Sequence, residues 1–198
     1  MTTPVITALV CSARRRGNAY ALADHCLAQL RQGEYRRTRL LNFFEYDVQA
    51  CQHCDYQCLG DPPDCPLKDD VAWLWDYTWR SDAVIWAVPT YGGAPPAIWM
   101  AFMQRLQSLW PNAPARRIPL AVICIANPDG ATGGEATAET LRRQASERWW
   151  QLVDFAVISA HEHGRDSKAG DLAEVPAVRQ RLDEVCTAIL EAVATDRR

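Results

Sequence analysis

"VITALVCSARRRGNAYALADHCLAQLR", residues 5–31, decides how the chain folds. Its first six residues form a continuous apolar run, too short for a helix and suited to a strand buried on both faces. After the loop the period changes, and Leu22, Cys26, Leu27 and Leu30 recur at helical spacing. Between the two patterns lies a polar loop, residues 11–18, holding three consecutive arginines and one glycine. Strand, polar loop and amphipathic helix in this order begin an α/β unit, and a strand apolar on both faces needs helices above and below it.

The alternation continues to the end of the chain. Strands are expected at 35–43 ("YRRTRLLNF"), 82–89 ("DAVIWAVP"), 117–126 ("RIPLAVICIA") and 152–160 ("LVDFAVISA"). Helices are expected at 69–81, which opens on acidic residues, at 95–110, which opens on prolines, at 136–150 and at 174–194. Five strands interleaved with helices predict a doubly wound, five-stranded parallel sheet in the order 2-1-3-4-5, the flavodoxin-like arrangement. With no internal repeat, low-complexity tract or linker, residues 1–198 are read as a single domain with a cysteine-rich loop after strand 2.

Composition narrows the class. The chain is 48% hydrophobic and 23% charged with a formal net charge of −3, so it carries no electrostatic footprint for nucleic acid. No window approaches the ~18 apolar residues that span a membrane, and the N-terminal apolar run has no basic region before it. A cytoplasmic protein without a membrane partner is expected. In that compartment thiols stay reduced, and a disulfide framework is the weakest reading of eight cysteines.

In the 2-1-3-4-5 order, strands 1, 3 and 4 are neighbours, and ligands bind at the carboxyl ends of such strands. Three loops leave that rim: "CSARRRGNAY" (11–20), "PTYGGAPP" (89–96) and "ANPDGATGGE" (126–135). The first runs into a helix N-terminus and offers a serine hydroxyl and guanidiniums, an anion site in chemistry. It lacks both G-x-x-x-x-G-K-[ST] and G-x-G-x-x-G, which excludes a nucleoside-triphosphate P-loop and argues against a dinucleotide fingerprint. The second and third are glycine-rich, which lets backbone lie against a planar ligand. A phosphorylated planar cofactor fits this combination, and flavin mononucleotide (FMN) fits it better than a bare nucleotide.

Those residues carry a family resemblance. "CSARRRGN" resembles the G-S-x-R-x-x-G-N-T phosphate loop of the NAD(P)H-dependent FMN reductase and iron–sulfur flavoprotein family. The cysteine loop, "CPLKDDV" and "SDAVIWAVPTYGGAPPAIWMAFMQR" follow in that family's order. The resemblance covers about residues 5–135. It implies that Ser12, Arg14, Gly17, Asn18 and the Ala19 position hold the FMN phosphate. Pro89, Thr90, Tyr91, Gly92 and Gly93 would then line the flavin ring, with Asn127, Gly130, Gly133 and Gly134 closing the site. Cys11 and Ala19 depart from the family's Gly and Thr, and Met100 and Gln104 from its Lys and Asp. The implied activity is oxidoreduction: hydride from NAD(P)H to flavin, then electrons to a small-molecule or protein acceptor such as a quinone, free flavin or one-electron partner; the alternatives are a non-catalytic electron-transfer flavoprotein reduced by a ferredoxin-like partner and a flavin-free binding protein with a zinc loop.

Cys51, Cys54, Cys58 and Cys65 form C-x2-C-x3-C-x6-C. A compact loop of this kind can wrap a 4Fe–4S cluster, whereas structural zinc more often uses two separate two-residue knuckles. The cluster is favoured, with zinc and unliganded thiols standing as alternatives. His53 lies between the first two cysteines as a fallback ligand. Cys26, Cys124 and Cys186 sit in apolar periodic segments and are read as small core residues. His25 is read as structural, and His161 and His163 as a solvated loop. Eight tryptophans are more than one core needs. Trp73 with Tyr77, and Trp75 with Trp79, fall on two faces of one helix, and the extra face predicts a homodimer or homotetramer. For Tyr91, stacking on the flavin is expected rather than proton donation.

Overall fold

The computed structural model describes residues 3–32, 37–52, 54–60, 65–106, 109, 113–126 and 134–195. Five strands, β1 (Val5–Val10), β2 (Arg37–Asn42), β3 (Ala83–Pro89), β4 (Ile118–Ala126) and β5 (Trp150–Ser159), pair in the order β2-β1-β3-β4-β5. Every pairing is parallel. The helices are α1 (Asn18–Arg31), α2 (Val71–Trp79), α3 (Ala97–Gln104), α4 (Glu135–Ala145) and α5 (Pro176–Thr195). The doubly wound sheet expected from the alternation is the one observed.

Strand alternation assigns the two half-cores. Ile6, Ala8 and Val10 of β1 and Ile85 of β3 face one side, where they pack with Leu22 and Leu27 of α1 and Leu182 and Ile189 of α5. Leu9, Trp86, Val88 and Val122 face the other, against α2, α3 and α4. That second half-core holds Trp75, Trp79, Trp86, Trp99, Trp149 and Trp150. Trp75 stacks on Phe102 at 4.3 Å with the rings 5° from parallel, and Trp86 meets Trp99 and Trp150 edge to face. The tryptophan surplus therefore goes largely into one side of the sheet. Trp73 is the part left outside, 41% exposed and sandwiched by Tyr46 and Tyr77.

Two helices are shorter than their apolar patterns. Helix 95–110 is expected, but α3 ends at Gln104, because the next side chain, Arg105, turns into a buried ion pair with Asp69. Helix 136–150 is expected, but α4 ends at Ala145. Trp149 and Trp150 instead lead into β5, where the Trp149 carbonyl accepts from the Ile118 N–H and that of Trp150 from Arg117 Nε. A pair of adjacent tryptophans satisfies helix and strand patterns equally, and here sheet hydrogen bonding wins.

β5 carries a bulge. Leu152 pairs with Leu120, and Asp154 with Ala121, so Val153 is the extra residue. The slip brings Asp154 to Arg181 of α5, which donates two hydrogen bonds of 2.6 and 2.7 Å to its carboxylate. Those bonds hold the Asp154 carboxyl below the usual carboxylate range, with burial opposing. A depressed carboxylate stabilises the fold fully above its unfolded pKa, and that stability is lost as pH falls through the folded value. Thermal midpoints are expected to fall progressively from about pH 5 towards pH 2. Arg181→Met should flatten part of that fall.

Candidate functional site

The carboxyl ends of β1, β3 and β4 open onto a cleft of about 400 Å³, within the range of small-molecule and cofactor sites. Ser12, Arg14, Asn18 and Ala19 line one side, Pro89, Thr90 and Tyr91 the other, with Ile125 and Ala126 at the end of β4. The residues singled out in the first two loops thus come together. Asn127, Gly130 and Gly133 lie outside the described residues.

The wall from β1 is organised by Tyr91. Its hydroxyl accepts from the Ala13 N–H at 3.1 Å and pairs with Ser12 Oγ at 3.3 Å, tying the second loop to the first. Gly92 and Gly93 do not line the cleft. They are the centre of a tight reversal in which Tyr91 and Ala94 exchange backbone hydrogen bonds of 2.8 and 3.2 Å. Both have left-handed φ values, 60° and 80°, as a two-residue hairpin turn demands. Glycine here sets the turn that aims Tyr91.

Arg14 lines the cleft and is held there by backbone carbonyls. It donates through both terminal nitrogens to the carbonyls of Lys168 and Ser167, at 2.8 and 2.7 Å. Asn18 Nδ2 donates to the same Ser167 carbonyl, and its Oδ1 accepts from the Leu172 N–H. These bonds dock a strap, residues 160–172, against the N-terminus of α1, where Ser167 and Lys168 complete the cleft wall. Gly17 leaves room for this clamp, since a Cβ there would lie 3.0 Å from Arg14 Nε. Sequence reasoning missed the strap. Its residues have no glycine-rich or aromatic signature, and two strands, β3 and β4, separate β5 from β1.

Gly134 caps α4 with φ +116°, and a Cβ on it would sit 2.7 Å from Ala126 Cβ and 3.3 Å from Thr90 Oγ1. Gly134→Ala is expected to cost about 1–3 kcal/mol, seen as a lower urea midpoint, and to displace the Thr90 wall. The buried Thr90 hydroxyl has no hydrogen-bond partner of ordinary geometry among the described residues. The weakly polar Cys124 thiol beside it is a poor substitute. Such an orphan on a cleft wall is a donor held ready for a ligand. Burial pushes the Cys124 thiol up to about 11 and Cys11 well above its ordinary value, so neither acts as a thiolate nucleophile. Together with Cys26 and Cys186 they are buried, as expected of core residues.

A second cavity, of about 130 Å³, is lined by Cys51, Cys54, Cys58 and Cys65 together with Gln104 and Arg105. Four thiols spread over fifteen positions of sequence converge on one space. Asp55 and Tyr56, between the second and third, both adopt left-handed backbone (φ 48° and 55°), costly for side-chain-bearing residues. That double kink folds the chain back so that Cys54 and Cys58 reach the same cavity. The Cys58 thiol is pushed up by desolvation and by the neighbouring Cys54, Cys65 and Cys51 sulfurs. Among the described residues, no three His, Cys, Asp or Glu side chains are gathered closely enough for a single ion. His53 lies outside the described residues. His161 is exposed and His163 half-buried, on the short turn that begins the strap.

α3 starts four residues after Gly93 and ends beside the thiols. Cleft and cysteine cavity therefore sit at opposite ends of a helix of eight residues, roughly 12 Å long.

Residues 4–164 match the NADPH-dependent FMN reductase family. The chain belongs to that family. An iron–sulfur flavoprotein of Archaeoglobus fulgidus is 30% identical over 98 residues, covering 50% of this chain and 48% of the relative. The match thus spans about half the length of that curated relative. Among solved structures, a flavone reductase superposes with TM-score 0.67 at 12% identity, over 98% of this chain and 64% of that one. An apo NADH:FMN oxidoreductase gives 0.63 at 16% identity, over 98% and 90%. Oxidised flavodoxin 1 of Bacillus cereus gives 0.60 at 14%, over 94% and 97%. At these identities the likeness establishes the flavodoxin-like fold. The FMN reductase match stops at residue 164, just short of Ser167 and Lys168. No helix among the described residues is long and apolar enough to cross a membrane.

Proposed function

We propose that the cleft holds FMN and that the protein takes hydride from NAD(P)H and passes electrons to a quinone, free flavin or one-electron acceptor. The supporting observation is the meeting of an anion-binding strand–loop–helix turn with the orphaned Thr90 hydroxyl in one cleft of cofactor size. Ser12 and the N-terminus of α1 face the phosphate, and Ala13 keeps its place through the Tyr91 hydroxyl. Thr90 donates to the ring edge, and the strap excludes water from the phosphate side. Bound FMN supplies a ring that accepts a hydride and can release its electrons one at a time. The four-cysteine cavity holds a 4Fe–4S cluster in this reading, a one-electron carrier whose thiolate ligands are Cys51, Cys54, Cys58 and Cys65.

Anaerobically purified protein mixed with FMN is expected to quench flavin fluorescence stoichiometrically and then to bleach within seconds of adding NADPH. Failure to bind FMN sinks the proposal. Binding without bleaching leaves an electron-transfer flavoprotein and removes the enzyme assignment of this cleft. Two variants test the division of labour. Ser12→Ala should weaken FMN but spare riboflavin, by about 1.5–3 kcal/mol for a hydrogen bond to a charged group. Arg14→Ala, which undocks the strap, should weaken both flavins alike.

A further inference from the structure

We propose that Arg105 is the positioning residue of the four-cysteine centre, closing the loop around it and raising its reduction potential. The inference rests on the reading that the cavity holds a 4Fe–4S cluster.

Arg105 directly follows α3, and its side chain is 5% exposed. Its guanidinium forks onto Asp69, NH1 to Oδ2 at 2.7 Å and NH2 to Oδ1 at 3.0 Å, and NH1 also donates to the Gln49 carbonyl at 3.1 Å. Gln49 precedes Cys51 by two positions, and Asp69 follows Cys65 by four. Asp69 Oδ2 in turn accepts from the Gln49 N–H at 2.9 Å. One planar cation thus joins the incoming and outgoing stems of the cysteine loop. The same side chain lines the thiol cavity, within hydrogen-bond reach of Cys65.

Two consequences follow from that position. With both stems fixed, the four sulfurs are gathered before any metal arrives, which favours assembly and retention. A buried positive charge and N–H donors beside ligand sulfur stabilise the reduced cluster, which carries one more negative charge than the oxidised one. Asp69 opposes this with its own negative charge. Removing Arg105 and removing the Asp69 charge should therefore move the potential in opposite directions. A purely structural clasp would not separate the two, since both changes break the same pair.

The test uses the full chain, reconstituted anaerobically with iron and sulfide. Iron and sulfide are counted after gel filtration, and the cluster is titrated with dithionite under mediators. Arg105→Gln is expected to retain less iron and to show a lower midpoint potential than wild type. Arg105→Lys keeps the charge without the fork, and should retain more iron than the Gln variant with a smaller downward shift. Asp69→Asn should shift the potential upward. If Arg105→Gln loads no cluster, the Lys and Asn variants still give the two signs. Wild type that loads normally while the variants shift together, or not at all, overturns the role of Arg105. Wild type that binds no iron overturns the cluster reading itself, and this inference with it.

Discussion

Trp75→Ala is expected to lower the unfolding free energy by about 3–5 kcal/mol, with the urea midpoint falling at an unchanged slope. Trp75 is fully buried at the centre of the aromatic half-core. It stacks on Phe102 of α3, touches Trp79 within its own helix and reaches Trp150 at the start of β5. Its indole N–H donates to the Phe102 carbonyl at 3.3 Å. Truncation opens a large cavity where three elements meet, and leaves them nothing small enough to refill it. Trp73→Ala, two positions away, is the internal comparison. Its ring is partly exposed and held by Tyr46 and Tyr77, so the loss should be only about 0.5–1.5 kcal/mol. Equal losses at the two positions would contradict the assignment of the inner face.

Asp69→Ala is the second large effect, again about 3–5 kcal/mol. The Asp69 side chain is 1% exposed. Burial alone would raise its pKa, but the hydrogen bonds from Arg105 and the Gln49 N–H hold it below the ordinary value. Deleting the carboxylate strands the Arg105 charge in a dry site, and that uncompensated charge is what makes the change severe. Chemical denaturation at neutral pH measures the loss. At low pH the wild-type carboxylate is itself protonated, so the gap between the two proteins should narrow as pH falls through the depressed pKa. A gap that stays constant would mean that the pair is not the source of the difference.

Much of the architecture was legible because apolar runs and helical spacing are signals of burial, and burial is what the sheet imposes. Val5–Val10 and Ile118–Ala126 could hardly be anything but inner strands. The cleft was legible to the extent that it is built at strand ends with polar loops. Ser12, Asn18, Thr90 and Tyr91, from two loops far apart in sequence, line one cleft. What sequence could not show were pairings between distant segments. Nothing in "QRLQSLW" signals that Arg105 leaves the helix for a carboxylate far upstream, nor does "RDSKAG" announce that its carbonyls receive Arg14. That Gly92 and Gly93 form a two-residue reversal is a matter of backbone geometry, which composition alone does not specify. The four cysteines were visible as a set, but the left-handed pair Asp55–Tyr56 explains how the chain between Cys54 and Cys58 folds back so that all four reach one space.

The docked strap has a wider consequence. Ser167 and Lys168 form one wall of the cleft through backbone carbonyls that Arg14 and Asn18 grip, so their own side chains are not what keeps them in place. New side chains at those two positions can alter the shape of the cleft while the sheet, the aromatic half-core and the turn between β1 and α1 remain untouched. Shape at that end of the cleft is thereby separable by mutation from the framework that builds the rest of it.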